Sequence, residues 1–396
     1  MSPSGILFGA LVLLLLTSGC MTPHKKPGST PVLQASPVPL RVGDILHSQT
    51  GKRVPFEELM TDLREQRIIY VGETHVSQAD HDIQKQILAA LFAENKDLTL
   101  AMEMFPRRYQ GVLDRWSAGS IGEAQFIEEV EWQKIWGYPF SLYRGLLTFA
   151  RDGHIKMLAI NAPPEVVRKI SHNGLASLDP DERAQIAGDF DFTNTEHRNM
   201  IQNEYDQHPQ NHFKDFQSFY EAQLAWEETM AETLAQYLET RPAGAQLLVI
   251  IGNGHISYKS GVPQRTYRHL PVDYKTIVTI PVDAGEESID PALADYVWIT
   301  PAAEPSKRHR GRLGIVIDPQ QSTEGLTILA VLPESAAAKA GLQKGDVLYQ
   351  IDDVPISDAH DAHRALTEKS TTPTHKIYIK RNGIQQVLII ELPDPE

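Results

Sequence analysis

Residues 68–75 read IIYVGETH, and this segment is the strongest indication of the fold. Its first four residues are β-branched or aromatic, which is typical of a buried strand. A second stretch of the same form, LLVIIGNGH at 247–255, again places a Gly-x-x-His motif after an apolar run. The two stretches therefore predict two buried strands, each followed by a glycine turn and a histidine.

Further apolar runs predict more strands, and helical patterns lie between them. These runs cover residues 98–102, 155–160, 276–282 and 296–300. Alternation of strands and helices favours an α/β domain with a mostly parallel sheet flanked by helices. Ligands of such a sheet bind outside the carboxyl ends of its strands.

Polar side chains follow four of the predicted strands. Glu73 and His75 follow the first, Glu103 the second, Asn161 the third and His255 the fourth. Two imidazoles and two carboxylates at one sheet edge suit a divalent metal or general acid–base chemistry. For any one of these residues alone, a helix cap or a satisfied buried polar group remains the simpler interpretation.

Composition excludes several classes of protein. The chain has 396 residues, of which 41% are hydrophobic, and a formal net charge of -14. An acidic surface repels phosphate backbones, so nucleic acid is not expected as a partner. The only cysteine is Cys20, which rules out an intrachain disulfide and any cysteine-rich metal site.

The N-terminus has the features of a secretory signal. An apolar run at 6–16 is followed by Thr-Ser-Gly and then Cys20, and it is too short to span a bilayer. Small residues before a cysteine resemble a lipobox, although residues 1–19 contain no lysine or arginine. We predict a signal peptide at 1–20, lipidation of Cys20 and a polar tether at 21–40. An aspartate directly after the lipidated cysteine retains lipoproteins at the inner membrane, but this position holds Met21. We therefore expect an outer-membrane lipoprotein of the cell envelope that faces the periplasm. A buried free cysteine is the alternative.

Residues 41–302 resemble the ChaN family of haem-binding, iron-regulated lipoproteins. The two Gly-x-x-His motifs are shared with a wider superfamily of erythromycin-esterase-like and TIKI/TraB-like proteins. The matching segments are VGETH (71–75), AMEMF (101–105), WGYPFSLYRGLLTFAR (136–151), AINAPPEVVRKIS (159–171), EAQLAWEETMA (221–231) and IGNGHISY (251–258).

The wider superfamily implies a hydrolase. Its TIKI-like members are metal-dependent peptidases and its esterase-like members are hydrolases. By that resemblance Glu73, His75, Glu103 and His255 would be catalytic. His75, Glu103 and His255 would hold a metal such as manganese, cobalt or zinc, and a glutamate would activate water.

The ChaN resemblance implies haem instead. A haem site needs an axial ligand, commonly His or Tyr, and apolar walls. A homodimer is one way to enclose the porphyrin. Aromatic residues of the 132–143 region could line such a pocket, although each alone is more often part of a core. The candidate haem-binding residues are His75, His255, Tyr138, Tyr143, Tyr205 and His212. His197, His208 and His212 could belong to a lid over the cleft or to an ordinary surface loop.

After a basic linker at 303–310, residues 311–393 resemble a small, mainly-β PDZ domain of the bacterial periplasmic type. The matching motifs include GRLGI (311–315) and KGDVL (344–348). PDZ domains bind a peptide as an added strand and hold its terminal carboxylate with backbone amides. The resemblance assigns Leu313, Gly314 and Ile315 to that role. A PDZ fold used only for packing is the alternative.

Three functions remain open. The first is a membrane-anchored, haem-binding lipoprotein in haem or iron uptake or handling, with peptide binding at the PDZ domain. The second is a metal-dependent hydrolase or peptidase that uses the paired Gly-x-x-His cleft. The third is a tethered scaffold protein. The aromatic segment at 136–151 favours the first function, because it matches ChaN rather than the wider superfamily.

Overall fold

The structure is a computed structural model with two compact units, one among the described residues up to 302 and the other among those from 313. It describes residues 40–207, 213–282, 289–302, 313–317, 325–332, 335–356, 361–362, 365–366 and 374–392. The predicted signal peptide with Cys20, nearly all of the tether and the linker lie outside these residues. The predicted domain boundaries at 41–302 and 311–393 remain predictions.

Eight strands form the sheet of the first unit. They are β1 (Ile45–His47), β2 (Lys52–Arg53), β3 (Ile68–Glu73), β4 (Leu98–Pro106), β5 (Lys156–Asn161), β6 (Gln246–Gly252), β7 (Tyr274–Val282) and β8 (Tyr296–Pro301). The strand order is β2-β1-β8-β7-β3-β6-β4-β5. All neighbours from β8 to β5 are parallel, and β1 pairs antiparallel with β2 and β8. The predicted mostly parallel sheet is thus confirmed.

Helices connect the strands. Those described are α1 (Phe56–Leu63), α2 (Gln78–Glu94), α3 (Gln110–Ser117), α4 (Glu123–Glu129), α5 (Trp132–Ile135), α6 (Phe140–Asp152), α7 (Pro164–Asn173), α8 (Pro180–Arg183), α9 (Thr195–Gln207), α10 (Phe216–Glu239) and α11 (Val262–His269). Among the described residues, none of the helices is long and apolar enough to cross a bilayer.

Both faces of this sheet are covered, because alternate side chains of a strand point to opposite sides. Ile69 and Val71 of β3 pack in one apolar core with Ile87 of α2. Ile68 and Tyr70 face the other way, into a core that includes Leu234 of α10. A strand buried on both faces reads as a continuous apolar run, which explains why β3 was visible in the sequence.

The second unit contains an antiparallel sheet and a short helix. Its elements are β9 (Ile315–Ile317), β10 (Leu326–Val331), α12 (Ala336–Lys339), β11 (Val347–Ile351), β12 (Val354–Pro355), β13 (Thr374–Arg381) and β14 (Ile384–Glu391). The order is β14-β13-β11-β10-β9, with β12 beside β11. Ile328, Leu348 and Ile377 are fully buried in its core. The expected small, mainly-β second domain is confirmed.

Candidate functional site

Two glycines allow the ends of β3 and β6 to pack against the side chains around them. A Cβ on Gly72 would lie 2.0 Å from Asn253 Oδ1, and a Cβ on Gly252 would lie 3.0 Å from His75 Cε1. The same Gly252 position is 3.5 Å from Glu103 Oε2, to which the Gly252 N–H donates at 2.6 Å. Gly252 therefore lies between His75 and Glu103, and the two motifs meet at one sheet edge.

A buried hydrogen-bond network lies beneath His75. We call it the Glu73 network, and it consists of Glu73, His75, His81, Gln84 and Tyr143. Glu73 Oε1 is 2.8 Å from His75 Nδ1 and accepts from the Tyr143 hydroxyl at 2.6 Å. Glu73 Oε2 accepts from Gln84 Nε2 at 2.8 Å and is 3.4 Å from His81 Nδ1. Both carboxylate oxygens are thus occupied inside the protein.

Electrostatics favour the ionised form of Glu73. Burial alone would raise the pKa of its carboxyl, but the nearby His81 and His75 outweigh burial and lower it below its ordinary value. Burial, together with the Glu73 charge, raises the pKa of Tyr143 well above its ordinary value. Glu73 is therefore an anionic acceptor and Tyr143 a neutral donor.

His255 lies between two buried carboxylates. Its Nε2 is 3.4 Å from Glu103 Oε1, and its Nδ1 is 3.3 Å from Glu227 Oε1. Burial lowers the pKa of an imidazole, but here Glu103 and Glu227 outweigh burial and raise the pKa of His255 to about 10. The same contact, reinforced by the Gly252 N–H, lowers the pKa of Glu103 despite its burial.

Sequence reasoning missed Glu227, which lies at the centre of a second buried network. Its Oε2 accepts from Arg265 Nε at 3.1 Å and is 2.9 Å from His197 Nε2. Arg265 also pairs with Glu228. Burial raises the pKa of Glu227, but His197 and His255 outweigh it and hold the pKa well below its ordinary value. One signal that could have found it was the position of Glu227 within the matched segment at 221–231.

Other residues of the matched segments also find places here. Gln223 Nε2 donates to Glu227 Oε1 at 3.0 Å and lies 3.3 Å from His255 Nδ1. The Trp226 ring is 6.3 Å from that of His255. His197 is only 2% exposed, which makes it a partner of Glu227 rather than part of an outer lid.

Aromatic side chains cover His75. Its ring centroid is 4.6 Å from that of Trp136 and 5.1 Å from that of Tyr138. Trp136 and Tyr138 are half-buried, whereas Trp132 and Phe140 belong to the core. Two of the predicted haem-binding residues, His75 and Tyr138, are therefore neighbours.

Three other predicted haem-binding residues are not placed beside His75 as Tyr138 is. Tyr143 is fully buried and uses its hydroxyl within the Glu73 network. Tyr205 of α9 packs in a separate aromatic cluster with Phe213, Phe216 and Phe219, with ring centroids 5.4 to 5.9 Å apart. His212 lies outside the described residues, as does His208.

The site does not take the form of a metal centre. Within the part of the chain that the structure describes, no group of three or more His, Cys, Asp or Glu side chains is arranged to hold a metal ion. Glu73 is directed into the protein, and Glu103 and His255 bond to each other. The manganese, cobalt or zinc site expected for His75, Glu103 and His255 therefore has no support.

The donors around His75 do fit haem. A haem iron takes an imidazole or a phenolate as axial ligand, and the porphyrin needs apolar surroundings. His75 and Tyr138 offer both donor types side by side, and the Trp136 ring adds an apolar wall.

In the second unit, the loop at 313–315 has a backbone that only glycine adopts easily. Gly314 has φ +76°, and a Cβ there would lie 2.2 Å from Ser335 Cβ. The Leu332 N–H donates to the Gly314 carbonyl and the Ala337 N–H to that of Leu313. Ile315 then begins β9, the edge strand of the described sheet. This arrangement suits an added peptide strand.

Comparison with known proteins places these features in a known class. A family model described as "Haem-binding uptake, Tiki superfamily, ChaN" matches residues 59–266, and a PDZ model matches residues 311–392. The fold and the paired Gly-x-x-His motifs thus define a ChaN-like α/β domain joined to a PDZ domain. The chain belongs to the ChaN haem-binding uptake family.

Individual relatives are more distant. The chain is 25% identical over 308 residues to Protein RETICULATA-RELATED 5, chloroplastic, of Arabidopsis thaliana, and the match covers 68% of this chain. The chain spans about 40% of that relative's length. The structure titled "Cofacial heme binding to ChaN of Campylobacter jejuni" is 20% identical, covers 65% of this chain and 98% of its own, and has a TM-score of 0.52. A serine endoprotease from Yersinia pestis is 25% identical over 22% of this chain and 30% of its own, with a TM-score of 0.19.

Proposed function

We propose that this protein is a membrane-anchored lipoprotein of the cell envelope that binds haem during haem or iron uptake or handling. Family membership supports haem as the ligand. The observation that carries the proposal is the contact of His75 with the half-buried rings of Tyr138 and Trp136. The PDZ domain binds a peptide or a protein C-terminus.

Tyr138 and His75 would hold the haem, and Trp136 would pack against it. Bound haem would supply an iron that binds an imidazole or a phenolate. The chain contributes the donor, its orientation and the apolar wall that keeps water from the iron.

Titration of the full chain with haemin tests this function. We expect a Soret shift that saturates at stoichiometric haemin. Tyr138→Phe and His75→Gln should each weaken binding by about tenfold or more, the scale of losses at metal-site residues. Tyr267→Phe is the matched control, because Tyr267 is 51% exposed on α11. A wild-type chain without a Soret shift would contradict the proposal.

The membrane anchor is the second part of the proposal. It is supported by the lipobox-like sequence before Cys20. Wild-type protein expressed in a Gram-negative host should incorporate labelled fatty acid and fractionate with outer membranes, whereas Cys20→Ala should do neither. A label that persists in Cys20→Ala would exclude Cys20 as the anchor. Analytical ultracentrifugation with and without haemin checks whether two copies enclose the porphyrin.

A hydrolase is the second candidate function. The buried Glu103–His255 pair favours it, because a carboxylate and an imidazole in contact can hold and transfer a proton. Chromogenic esters and short peptides are the probes. Turnover that Glu103→Gln abolishes and Glu239→Gln leaves unchanged would support a hydrolase, because Glu239 is an exposed residue of α10. A chain with neither haem binding nor turnover would leave the tethered scaffold.

A further inference from the structure

In the Glu73 network the carboxylate is the acceptor, and this determines which ring nitrogen of His75 carries the proton. A carboxylate only accepts hydrogen bonds. The amide of Gln84 and the hydroxyl of Tyr143 both donate to Glu73. Glu73 is fully buried and both of its oxygens are engaged with these partners. Glu73 can therefore act on a ligand only through another residue.

The contact between Glu73 and His75 is made at Nδ1, at 2.8 Å. Since Glu73 is the acceptor, His75 Nδ1 carries the proton. The Nε2 atom lies on the side of Gly252, 3.5 Å from where a Cβ of that residue would stand. In this tautomer Nε2, the ring nitrogen on the side where the two motifs meet, therefore carries no proton.

The other network members fix the carboxylate. Gln84 donates to Glu73 and is 3.2 Å, through its Oε1, from His81 Nδ1. His81 Nε2 in turn lies 3.3 Å from the His75 carbonyl oxygen. The Tyr143 ring packs on that of His81 with centroids 4.2 Å apart. These contacts leave the carboxylate little freedom to rotate, and a carboxylate that accepts from a ligand histidine in this way sets the tautomer of that histidine.

We infer that Glu73, Gln84 and Tyr143 are positioning residues that hold His75 as the Nδ1–H tautomer and direct Nε2 toward the bound ligand. The identity of that ligand rests on the proposed function. The tautomer itself does not, because it is a property of the haem-free protein. Glu73, one of the residues expected to be catalytic, thereby acts through His75.

Nitrogen-15 NMR of the histidine side chains tests the inference. The full chain is labelled with ¹⁵N-histidine, and spectra are recorded at about pH 8, above the ordinary histidine pKa of about 6.5. Comparison with His75→Gln assigns the signal. We expect a protonated, pyrrole-type Nδ1 and an unprotonated, pyridine-type Nε2. The opposite tautomer, or an imidazolium, in the wild-type protein would overturn the inference.

Tyr143→Phe tests the second layer of the network. Loss of one donor makes Glu73 Oε1 a stronger acceptor for His75, so the Nδ1-bound proton of His75 should move downfield. His154, whose Nδ1 contacts the Ser117 carbonyl, is the internal reference and should not change. Tyr237→Phe is the matched control, since it removes a hydroxyl bonded to Thr99 elsewhere. An unchanged His75 signal in Tyr143→Phe would show that Tyr143 does not help to position His75.

Glu73→Leu tests the carboxylate itself. Without the acceptor, His75 should lose its bias toward Nδ1–H and populate Nε2–H. If this variant does not fold, the wild-type tautomer and the Tyr143→Phe shift still decide the matter. Haemin titration of the same samples separates the two proposals. The expected tautomer without haemin binding refutes the haem function alone, and haemin binding with the opposite tautomer refutes this inference alone.

Discussion

At the scale of single residues, the two motif histidines have different surroundings. Glu73 contacts His75 at Nδ1, whereas His255 meets carboxylates at both ring nitrogens. A histidine between two carboxylates is held as the imidazolium, because each ring N–H then has an anionic acceptor. The identical Gly-x-x-His spacing therefore supports two different chemical environments.

This charge state predicts a dependence of stability on pH. The pKa of His255 is raised to about 10, from about 6.5 in an unfolded chain. Its stabilising contribution is therefore complete below about pH 6.5 and is lost as the pH rises toward 10. Chemical denaturation between about pH 7 and pH 10 should show a decrease in the unfolding free energy. That decrease should be smaller in His255→Gln, and equal slopes in the two proteins would contradict the assignment.

The carboxylate behind His255 predicts a loss of stability on substitution. Glu227→Gln removes the carboxylate that His197 and His255 contact, and it leaves Arg265 with Glu228 as its buried carboxylate partner. Breaking a buried ion pair on one side costs about 3 kcal/mol or more, and urea denaturation at neutral pH measures it. Glu239→Gln on the same helix is exposed and should change stability by no more than about 0.5 kcal/mol. Equal effects of the two substitutions would show that Glu227 carries no structural charge.

The sequence predicted which residues lie at the candidate site better than it predicted how their side chains are oriented. The order of motifs indicated that Glu73, His75, Glu103 and His255 lie at one sheet edge, and all four are found there. That Glu73 is directed inward could not be predicted, because its orientation depends on donors from α2 and α6. Glu227 was missed for a similar reason, since its partner Arg265 lies far along the chain.

At the scale of elements, long buried strands were predicted and short ones were not. The runs that predicted β3 and β6 are apolar along almost their whole length. β1 and β2 have three and two residues, too few for a period to be recognised. β4 continues to Pro106 through an irregularity after Met102, so its end could not be placed from alternation alone.

The end of β6 provides a prediction for an element. Gly252 has φ -60°, so alanine is compatible with its backbone, but the new methyl group would press on His75 Cε1 at 3.0 Å. Gly252→Ala should therefore weaken haemin binding while the far-UV circular dichroism stays unchanged. Gly244→Ala is the control, because a Cβ there meets nothing within 4 Å. Normal haemin affinity in Gly252→Ala would show that His75 does not need its present position.

At the scale of the whole molecule, the two candidate sites lie on two separately packed units. Gly314→Ala should disable the peptide site of the PDZ domain. The φ of +76° and the close approach to Ser335 both disfavour a side chain at this position. Binding to an array of peptides with free C-terminal carboxylates should be lost, and an amidated array defines the background. Haemin binding of the same variant should equal that of the wild type. A Soret response that falls together with peptide binding would show that the two sites are coupled.

The strand order also determines when the first unit can fold during synthesis. β3 is made early, yet its partners are β6 and β7, in which Leu247 and Tyr274 pair with Ile68. β1 can pair early with β2, but it has to wait still longer for its other neighbour, β8. Pairing between distant segments makes folding slow. A nascent chain that ends before residue 246 therefore holds β3 with neither neighbour, and this apolar strand must be kept from aggregating until most of the protein has been translated.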